Sequence, residues 1–155
     1  MALVRILVDG YSLLHSWPEL AAGRPRHSAA ARDELVQVLA RYSDAAGMPV
    51  TVVFDGAGHR GDRQQTHSTP QVEVLFSKAG QTADQIIERV AHRMKPFGEV
   101  LAVTNDHAER DTVIAMGGLA SSCENFIFTL ADAFKELERD VRNYNSAEKR
   151  RYNRS

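Results

Sequence analysis

Cysteine is almost absent from this 155-residue chain, in which Cys123 is the only one. A single thiol excludes an internal disulfide and any thiolate metal cluster, and it fits a reducing compartment. Its neighbours Ser121, Ser122 and Glu124 include no base that would activate it. We therefore expect Cys123 to be an inert, buried side chain, as free cysteines usually are.

Long apolar runs are also missing, since no segment approaches the roughly 18 residues of a membrane span. Arg5 and Asp9 interrupt the N-terminal apolar segment, which is unlike a signal peptide. We therefore expect a cytoplasmic protein that does not associate with membranes. The net charge is only −1, so the composition as a whole indicates no polyanionic partner.

Positive charge is concentrated at the C-terminus, where residues 141–155 carry five basic side chains and one acid, Glu148. Tyr144 and Tyr152 lie among them, so the segment is compatible with RNA contact through phosphate pairing and base stacking. A solvated, frayed terminus explains the same pattern equally well. We divide the chain into a domain over residues 1–142 and a basic tail over residues 143–155.

Three short apolar runs end on or next to an aspartate, at Asp9, Asp55 and Asp106. Runs of this kind are typical of buried parallel strands, and open α/β sheets bind ligands beyond the carboxyl ends of such strands. Further strands are predicted at residues 72–76 and 119–121. Helices are predicted after a Ser28 cap to residue 46, over residues 83–94 and 107–116, and in a long final segment.

Local signals complete this prediction of an α/β fold. Residues 82–85 and 121–124 both have the spacing of a capping box, a threonine or serine cap followed by a glutamine or glutamate. Residues 12–20 show no clear helical or strand pattern. Residues 56–70 are rich in glycine and polar side chains, which predicts a loop.

Placed on a parallel sheet, Asp9, Asp55, Asp84 and Asp106 project toward one end. Neighbouring carboxylates repel one another, and a bound proton or a hard divalent cation relieves the repulsion. Oxygen ligands favour Mg²⁺ or Mn²⁺ over zinc, and an acidic cation site suits the hydrolysis of a phosphodiester by water. Asp84 taken by itself also has a simpler explanation, because an aspartate in the first turn of a helix is stabilised by the helix dipole.

Several segments along nearly the whole chain match one known family, and they occur in the order found in that family. Through them the chain resembles the YacP-like branch of the NYN domain ribonucleases, within the PIN-like nuclease group. The resemblance implies a three-layer α/β/α fold with a mostly parallel central sheet, and an endoribonuclease that depends on Mg²⁺ or Mn²⁺. The segments are ILVDGYS at 6–12, WPEL at 17–20, VVFD at 52–55, SKAGQTAD at 77–84 with Ile87 and Glu88, and VTND at 103–106.

The resemblance also implies roles for individual residues. It places the catalytic and metal-binding carboxylates at Asp9, Asp84 and Asp106, and marginal acidic positions at Glu88 and Asp55. Ser12 stands where the family commonly has asparagine. Its shorter hydroxyl still donates and accepts, so we expect altered rather than lost activity. The residues expected to support the ligands are Ser12, Thr104, Asn105 and Asp111.

Recognition of RNA is less determined by the sequence. Arg24, Arg26, Arg60, Arg63 and Lys78 lie on predicted loops, where they either contact phosphates or are merely solvated. Tyr11 and Trp17 either stack on bases or anchor their loop in the core. His15, His59, His67 and His107 are of a type that assists proton transfer, but nothing in the sequence positions them.

The leading hypothesis is therefore an endoribonuclease acting on RNA, mRNA in particular, with the ribosome as a second candidate partner. An RNA-binding or ribosome-associated module whose acidic cluster is catalytically weak or inactive is the main alternative. A phosphatase of another Rossmann-like family is disfavoured. The segment Asp9-Gly10-Tyr11 lacks the second aspartate, two residues on, that such a phosphatase uses as its acid and base.

Overall fold

A five-stranded parallel sheet forms the centre of the molecule. The structure is a computed structural model that describes residues 2–56 and 66–153. The strand order is β3-β2-β1-β4-β5, and every pair is parallel. The strands are β1 (Leu3–Asp9), β2 (Val50–Phe54), β3 (Val72–Phe76), β4 (Glu99–Val103) and β5 (Leu119–Ser121).

Helices cover both faces of this sheet, which confirms the predicted α/β/α architecture. The helices are α1 (Gly10–His15), α2 (Ala29–Ala46), α3 (Ala83–Met94), α4 (His107–Ala115) and α5 (Cys123–Asn153). One buried cluster joins the sheet to α1, α2 and α5, and includes Leu13, Leu35 and Phe126. A second joins the opposite face to α3 and α4, and includes Ile87 and Val113.

Most of the predicted helix caps are confirmed. The Ser28 side chain caps α2, and Gly47 ends that helix with a left-handed φ of 64°. Thr82 and Gln85 form a complete capping box at the start of α3. The second predicted box is wrong, because Ser121 belongs to β5. The Oγ of Ser122 instead accepts a hydrogen bond from the backbone N–H of Asn125, at 3.2 Å.

Helix α1 is an element that the sequence did not predict. It begins directly after β1, and the side chain of Asp9 caps it by accepting from the N–H of Ser12. Gly10 is required at its first position, because a Cβ atom there would lie 2.3 Å from Cε1 of Phe54. The close packing of α1 on β2 thus determines the direction in which the chain leaves β1.

The topology creates a crevice at the carboxyl ends of β1 and β4. After β1, the strands β2 and β3 are added on one side of it, and β4 and β5 are then added on its other side. Ligand sites of open α/β sheets lie at such a reversal of strand order. Asp9 ends β1 and Asp106 follows β4, so the fold places two of the predicted site residues at this crevice.

The last helix extends beyond the body of the domain. In α5 the buried residues are Cys123, Phe126 and Leu130, whereas positions from 135 onward are exposed. Because α5 runs to Asn153, residues 143–153 of the predicted tail are helical and continue this exposed part of α5. Among the described residues, no helix combines the length and the apolar character that are needed to cross a membrane.

Candidate active site

Asp9 lies at the centre of the crevice. Its Oδ1 accepts a hydrogen bond from the backbone N–H of Ser12 at 3.3 Å. Burial raises the pKa of Asp9, and the charges of Asp55 and Asp106 raise it further, while hydrogen bonds from Ser12 oppose the change. Ser12, which stands where the family commonly has asparagine, therefore contacts the carboxylate of Asp9 directly.

Asp84 and Asp106 form a carboxyl pair next to Asp9. Asp84 lies in the first turn of α3, and Asp106 caps α4 by accepting from the backbone N–H groups of Ala108 and Glu109. Burial raises the pKa of Asp84 to about 6, aided by the charges of Asp9 and Asp106 and by a hydrogen bond with Asp106. Two carboxyl groups share a hydrogen bond only when one is protonated, so this pair retains a proton readily.

Glu109 is a functional candidate that the sequence did not indicate. It is only 4% exposed, and its Oε1 has no hydrogen-bond partner among the described residues. Burial raises the pKa of Glu109 to about 8, together with a hydrogen bond to Glu88 and the charges of Asp84, Glu88 and Asp106. In the sequence, Glu109 looks like an ordinary acidic residue in the first turn of a helix. Its burial results from the packing of α4 beside α3.

A cleft of about 590 Å³ opens beside these groups. Asp9, Asp55 and Asp84 line it, whereas Asp106 and Glu88 are not among the described lining residues and act on Asp84 through their charges. Glu109, also outside that lining, is in turn affected by the charge of Asp84. The chemistry of the cleft is thus that of several carboxylates from β1, β2, α3 and α4. The other lining residues are Tyr11, Ser12, His15, Ser16, His27, Thr82, Ala83 and Asn105.

The chemistry of the donors fits a hard divalent cation. Neighbouring carboxylates raise the pKa of Asp84, and the buried Oε1 of Glu109 has no partner in the part of the chain that the structure describes, so a cation would relieve both penalties. Within residues 2–56 and 66–153, however, no three metal-ligating side chains are already positioned to hold one ion together. Cation binding would therefore require carboxylate side chains to rotate toward a common point.

The residues predicted to support the ligands differ in their placement. The Oγ1 of buried Thr104 accepts from the N–H of Asp106 at 3.2 Å. Asn105 lines the cleft and donates to Ser16 Oγ at 2.6 Å, while its Oδ1 accepts from the N–H of Cys123. Asp111 is exposed on α4 and is not among the described residues that line the cleft.

Asp55 directly follows β2 and lines the cleft. Its Oδ1 accepts from the hydroxyl of Ser77 at 3.0 Å, and its charge raises the pKa of Asp9. This bond ties the end of β2 to the segment after β3. The charge of Asp55 thus acts on Asp9, and the marginal role predicted for Asp55 stays a prediction.

The candidate RNA-binding residues are dispersed. Arg26 donates to the backbone carbonyls of Leu14, Trp17, Ala21 and Arg24, so its guanidinium organises the loop before α2. Arg24 and Lys78 are exposed, and neither is among the described residues that line the cleft. Arg60 and Arg63 lie outside the described residues.

Cys123 agrees with the prediction of an inert thiol. It is fully buried, and burial, aided by the charge of Asp9, raises its pKa to about 12. A thiol with so high a pKa is not a nucleophile at neutral pH. Tyr11 is also buried and packs in the core, which favours its predicted role as an anchor of this segment.

Comparison with known proteins identifies the class of this domain. A parallel sheet with carboxylates gathered at its reversal of strand order is consistent with a nuclease-type domain, the class to which NYN domains belong. The chain belongs to the YacP-like NYN domain family, whose model matches residues 6–155. The resemblance inferred from the sequence is therefore confirmed.

Individual relatives support the same assignment. The chain is 32% identical over 143 residues to the uncharacterized protein YacP of Bacillus subtilis (strain 168), covering 91% of this chain and 83% of that protein. It is similar to the crystal structure of Rae1 (YacP) from Bacillus subtilis, with a TM-score of 0.75, 30% identity, and coverage of 96% of this chain and 84% of that chain. A tryptophan-to-leucine mutant of Rae1 gives a TM-score of 0.74 at 31% identity, over 92% of this chain and 83% of the other.

Proposed function

We propose that this protein is a metal-dependent endoribonuclease that hydrolyses internal phosphodiester bonds of RNA. The observation that carries the proposal is the convergence of Asp9, Asp84 and Asp106 at one crevice, where the charge of Asp106 raises the pKa of Asp9 and the charges of both raise the pKa of Asp84. Membership of a nuclease-type family supports the same chemistry. RNA, and mRNA in particular, is the proposed substrate, and the ribosome is a candidate partner.

Asp9, Asp84 and Asp106 would hold Mg²⁺ or Mn²⁺, with Glu88, Glu109 and Asp55 at the margin. When bound, such a cation supplies Lewis acidity toward phosphoryl oxygens. The chain's own contribution is to hold the carboxylates at the ends of rigid elements and to accept protons. Asp84 is mostly ionised at neutral pH, and its raised pKa suits its carboxylate to take the proton that an attacking water releases.

Asp9 and Asp106 are held by helix caps, and this geometry supports their role. Each accepts backbone N–H groups at the start of a helix, Asp9 from α1 and Asp106 from α4. The caps fix one carboxylate oxygen of each residue while the charge remains available to a ligand. The backbone of both residues is thus fixed before any ligand arrives, and only side-chain rotation remains for cation binding.

The alternative is an RNA-binding or ribosome-associated module of the same fold with weak or no activity. The observation that favours it is geometric, because no three ligating side chains are yet gathered for one ion among the described residues. The exposed basic end of α5, with Lys149, Arg150 and Arg151, would serve either function.

An assay on RNA blocked at both ends distinguishes the two functions. Wild-type protein and Asp9→Asn are incubated with the RNA in Mg²⁺, Mn²⁺ or EDTA, and products are separated by size. We expect internal cleavage by the wild type that needs the cation and is lost in Asp9→Asn. The matched control, Asp140→Asn, removes an exposed charge from α5 and should cleave normally. Wild-type binding to RNA without cleavage in either cation would favour the module, and equal cleavage by Asp9→Asn would remove Asp9 from the mechanism.

A further inference from the structure

Two histidines meet at the rim of the cleft. His15 ends α1 and His27 lies shortly before α2, and both side chains are exposed. Their Nε2 atoms are 3.3 Å apart and their ring centroids 5.3 Å apart. One imidazole nitrogen therefore donates to the other, and the pair shares a proton position beside the carboxylates that line the same cleft.

Buried groups hold this pair in place. Arg32 is fully buried and donates both to the hydroxyl of Tyr11, at 3.2 Å, and to the backbone carbonyl of His27, at 3.1 Å. The ring of Tyr11 packs against that of His27 with centroids 4.1 Å apart. The position of the His27 ring is thus set by the core, which distinguishes it from a freely rotating surface histidine.

The charge of the cleft indicates what such a pair would do. Among the described residues that line it, the acidic groups are Asp9, Asp55 and Asp84, and there is no lysine or arginine. Hydrolysis of a phosphodiester requires a proton for the oxygen that leaves phosphorus. Imidazole is the side-chain type that supplies a proton near neutral pH, and His15 and His27 are the described lining residues of that type.

We propose that the His15–His27 pair is the general acid of the reaction. This inference rests on the proposed nuclease function. The oxygen of water forms a bond to phosphorus, and the bond from phosphorus to the bridging oxygen breaks. The pair in its imidazolium form gives a proton to that oxygen and is left as two neutral imidazoles. The proton released by the water passes to a carboxylate of the site, so protons and charge balance over the step.

The experiment compares two RNA substrates that differ in one atom. The ends of the wild-type products first identify which bridging oxygen leaves. The second substrate then carries sulfur at that position, because a thiolate leaves without protonation. The variants are His15→Ala, His27→Ala, the double variant and His27→Gln, which retains a polar side chain but is not an acid. His92→Ala, in the last turn of α3 and exposed, is the matched control.

We expect the double variant to lose about 100-fold or more in kcat on normal RNA, the usual size of general acid catalysis. On the sulfur substrate it should cleave at nearly the wild-type rate. His27→Gln should fail like His27→Ala, and added imidazole should partly restore the alanine variants. Thermal unfolding midpoints close to that of the wild type would show that the fold is retained.

The outcomes separate the two proposals. Wild-type rates in the double variant on normal RNA would overturn the assignment of the acid while the nuclease function stands. Equal losses on both substrates would also overturn it, since they would assign the pair to substrate binding. Absence of cleavage by the wild type in Mg²⁺ and in Mn²⁺ would overturn the nuclease function, and the general acid with it.

Discussion

Replacing Asp84 with asparagine should stabilise the protein and abolish its activity. The pKa of this carboxyl is raised from 3.8 to about 6, first by burial and then by the charges of Asp9 and Asp106. At neutral pH the folded protein therefore keeps a negative charge where a neutral group is preferred. The net shift is upward even though the start of α3 favours an anion, so the helix dipole does not compensate.

The magnitude follows from linkage between proton binding and folding. Because the folded pKa exceeds the unfolded one, the stability associated with the protonated form is full below about pH 4 and is lost as pH rises through about 6. At about 1.4 kcal/mol per pKa unit the shift corresponds to about 3 kcal/mol. Asp84 is only partly buried, so solvent screening reduces this to about 1 kcal/mol. For a chain of this size, we expect the unfolding midpoint of Asp84→Asn to rise by about 2–4 °C at pH 7.5.

Thermal unfolding in EDTA at pH 7.5 and at pH 4 measures this effect. The gain should be present at the higher pH and nearly absent at the lower one, where the wild-type carboxyl is already protonated. Asp140→Asn on the exposed face of α5 is the matched control and should change little at either pH. A lower midpoint for Asp84→Asn at pH 7.5, or a gain of equal size at pH 4, would refute the reasoning.

Three further predictions concern the same region. Mg²⁺ or Mn²⁺ should raise the unfolding midpoint of the wild type, because a ligand that binds the folded state stabilises it. The rise should be smaller in Asp84→Asn, which lacks one of the proposed ligands. Calorimetry with a cation titration measures both shifts, and shifts of equal size would contradict the prediction. The pKa of Glu109 is raised from 4.5 to about 8, so wild-type stability should fall across that range as pH rises; Glu109→Gln should match the wild type near pH 5 and exceed it at pH 9 in thermal unfolding. Gly10→Ala should lose about 1–3 kcal/mol in urea denaturation, the usual cost of overpacking, because its Cβ meets the ring of Phe54; an unchanged midpoint would show that the ring moves freely.

Much of the fold could be predicted because its signals are local. Strands β3 and β5 have the predicted limits, since each is a short run bounded by turn residues. Helix α3 begins at its predicted capping box, which depends only on residues three apart. The predicted box at Ser121 failed because two adjacent serines precede α5, and the pairing of β5 with β4 decides which one caps the helix.

Helix α1 was missed because its determinants are tertiary. It has six residues, begins with glycine and lacks an acidic side chain in its first turn, so it carries few of the usual signals of a helix start. Its formation depends on Asp9 as a cap and on the close approach of Gly10 to Phe54. Because α1 was missed, the meeting of His15 with His27 could not be predicted either.

The site was predicted unevenly for a related reason. Asp9 and Asp106 stand at strand ends, and parallel topology brings strand ends together, so their proximity follows from the fold class alone. Glu109 occupies the third position of α4, where an acidic residue is common for purely local reasons. Only the packing of α4 beside α3 buries it against Glu88 and makes its carboxyl unusual.

The two aspartates at strand ends also have a local structural use, which is why sequence alone does not establish their function. Asp9 and Asp106 cap α1 and α4, and asparagine caps a helix about as well as aspartate. The fold therefore needs a short side chain with an acceptor oxygen at both positions, but it does not need a charge. The negative charge raises the pKa of its neighbours and opposes folding at neutral pH. Because the caps themselves need no charge, we expect the charge of Asp9 and Asp106 to serve a ligand that an anion binds.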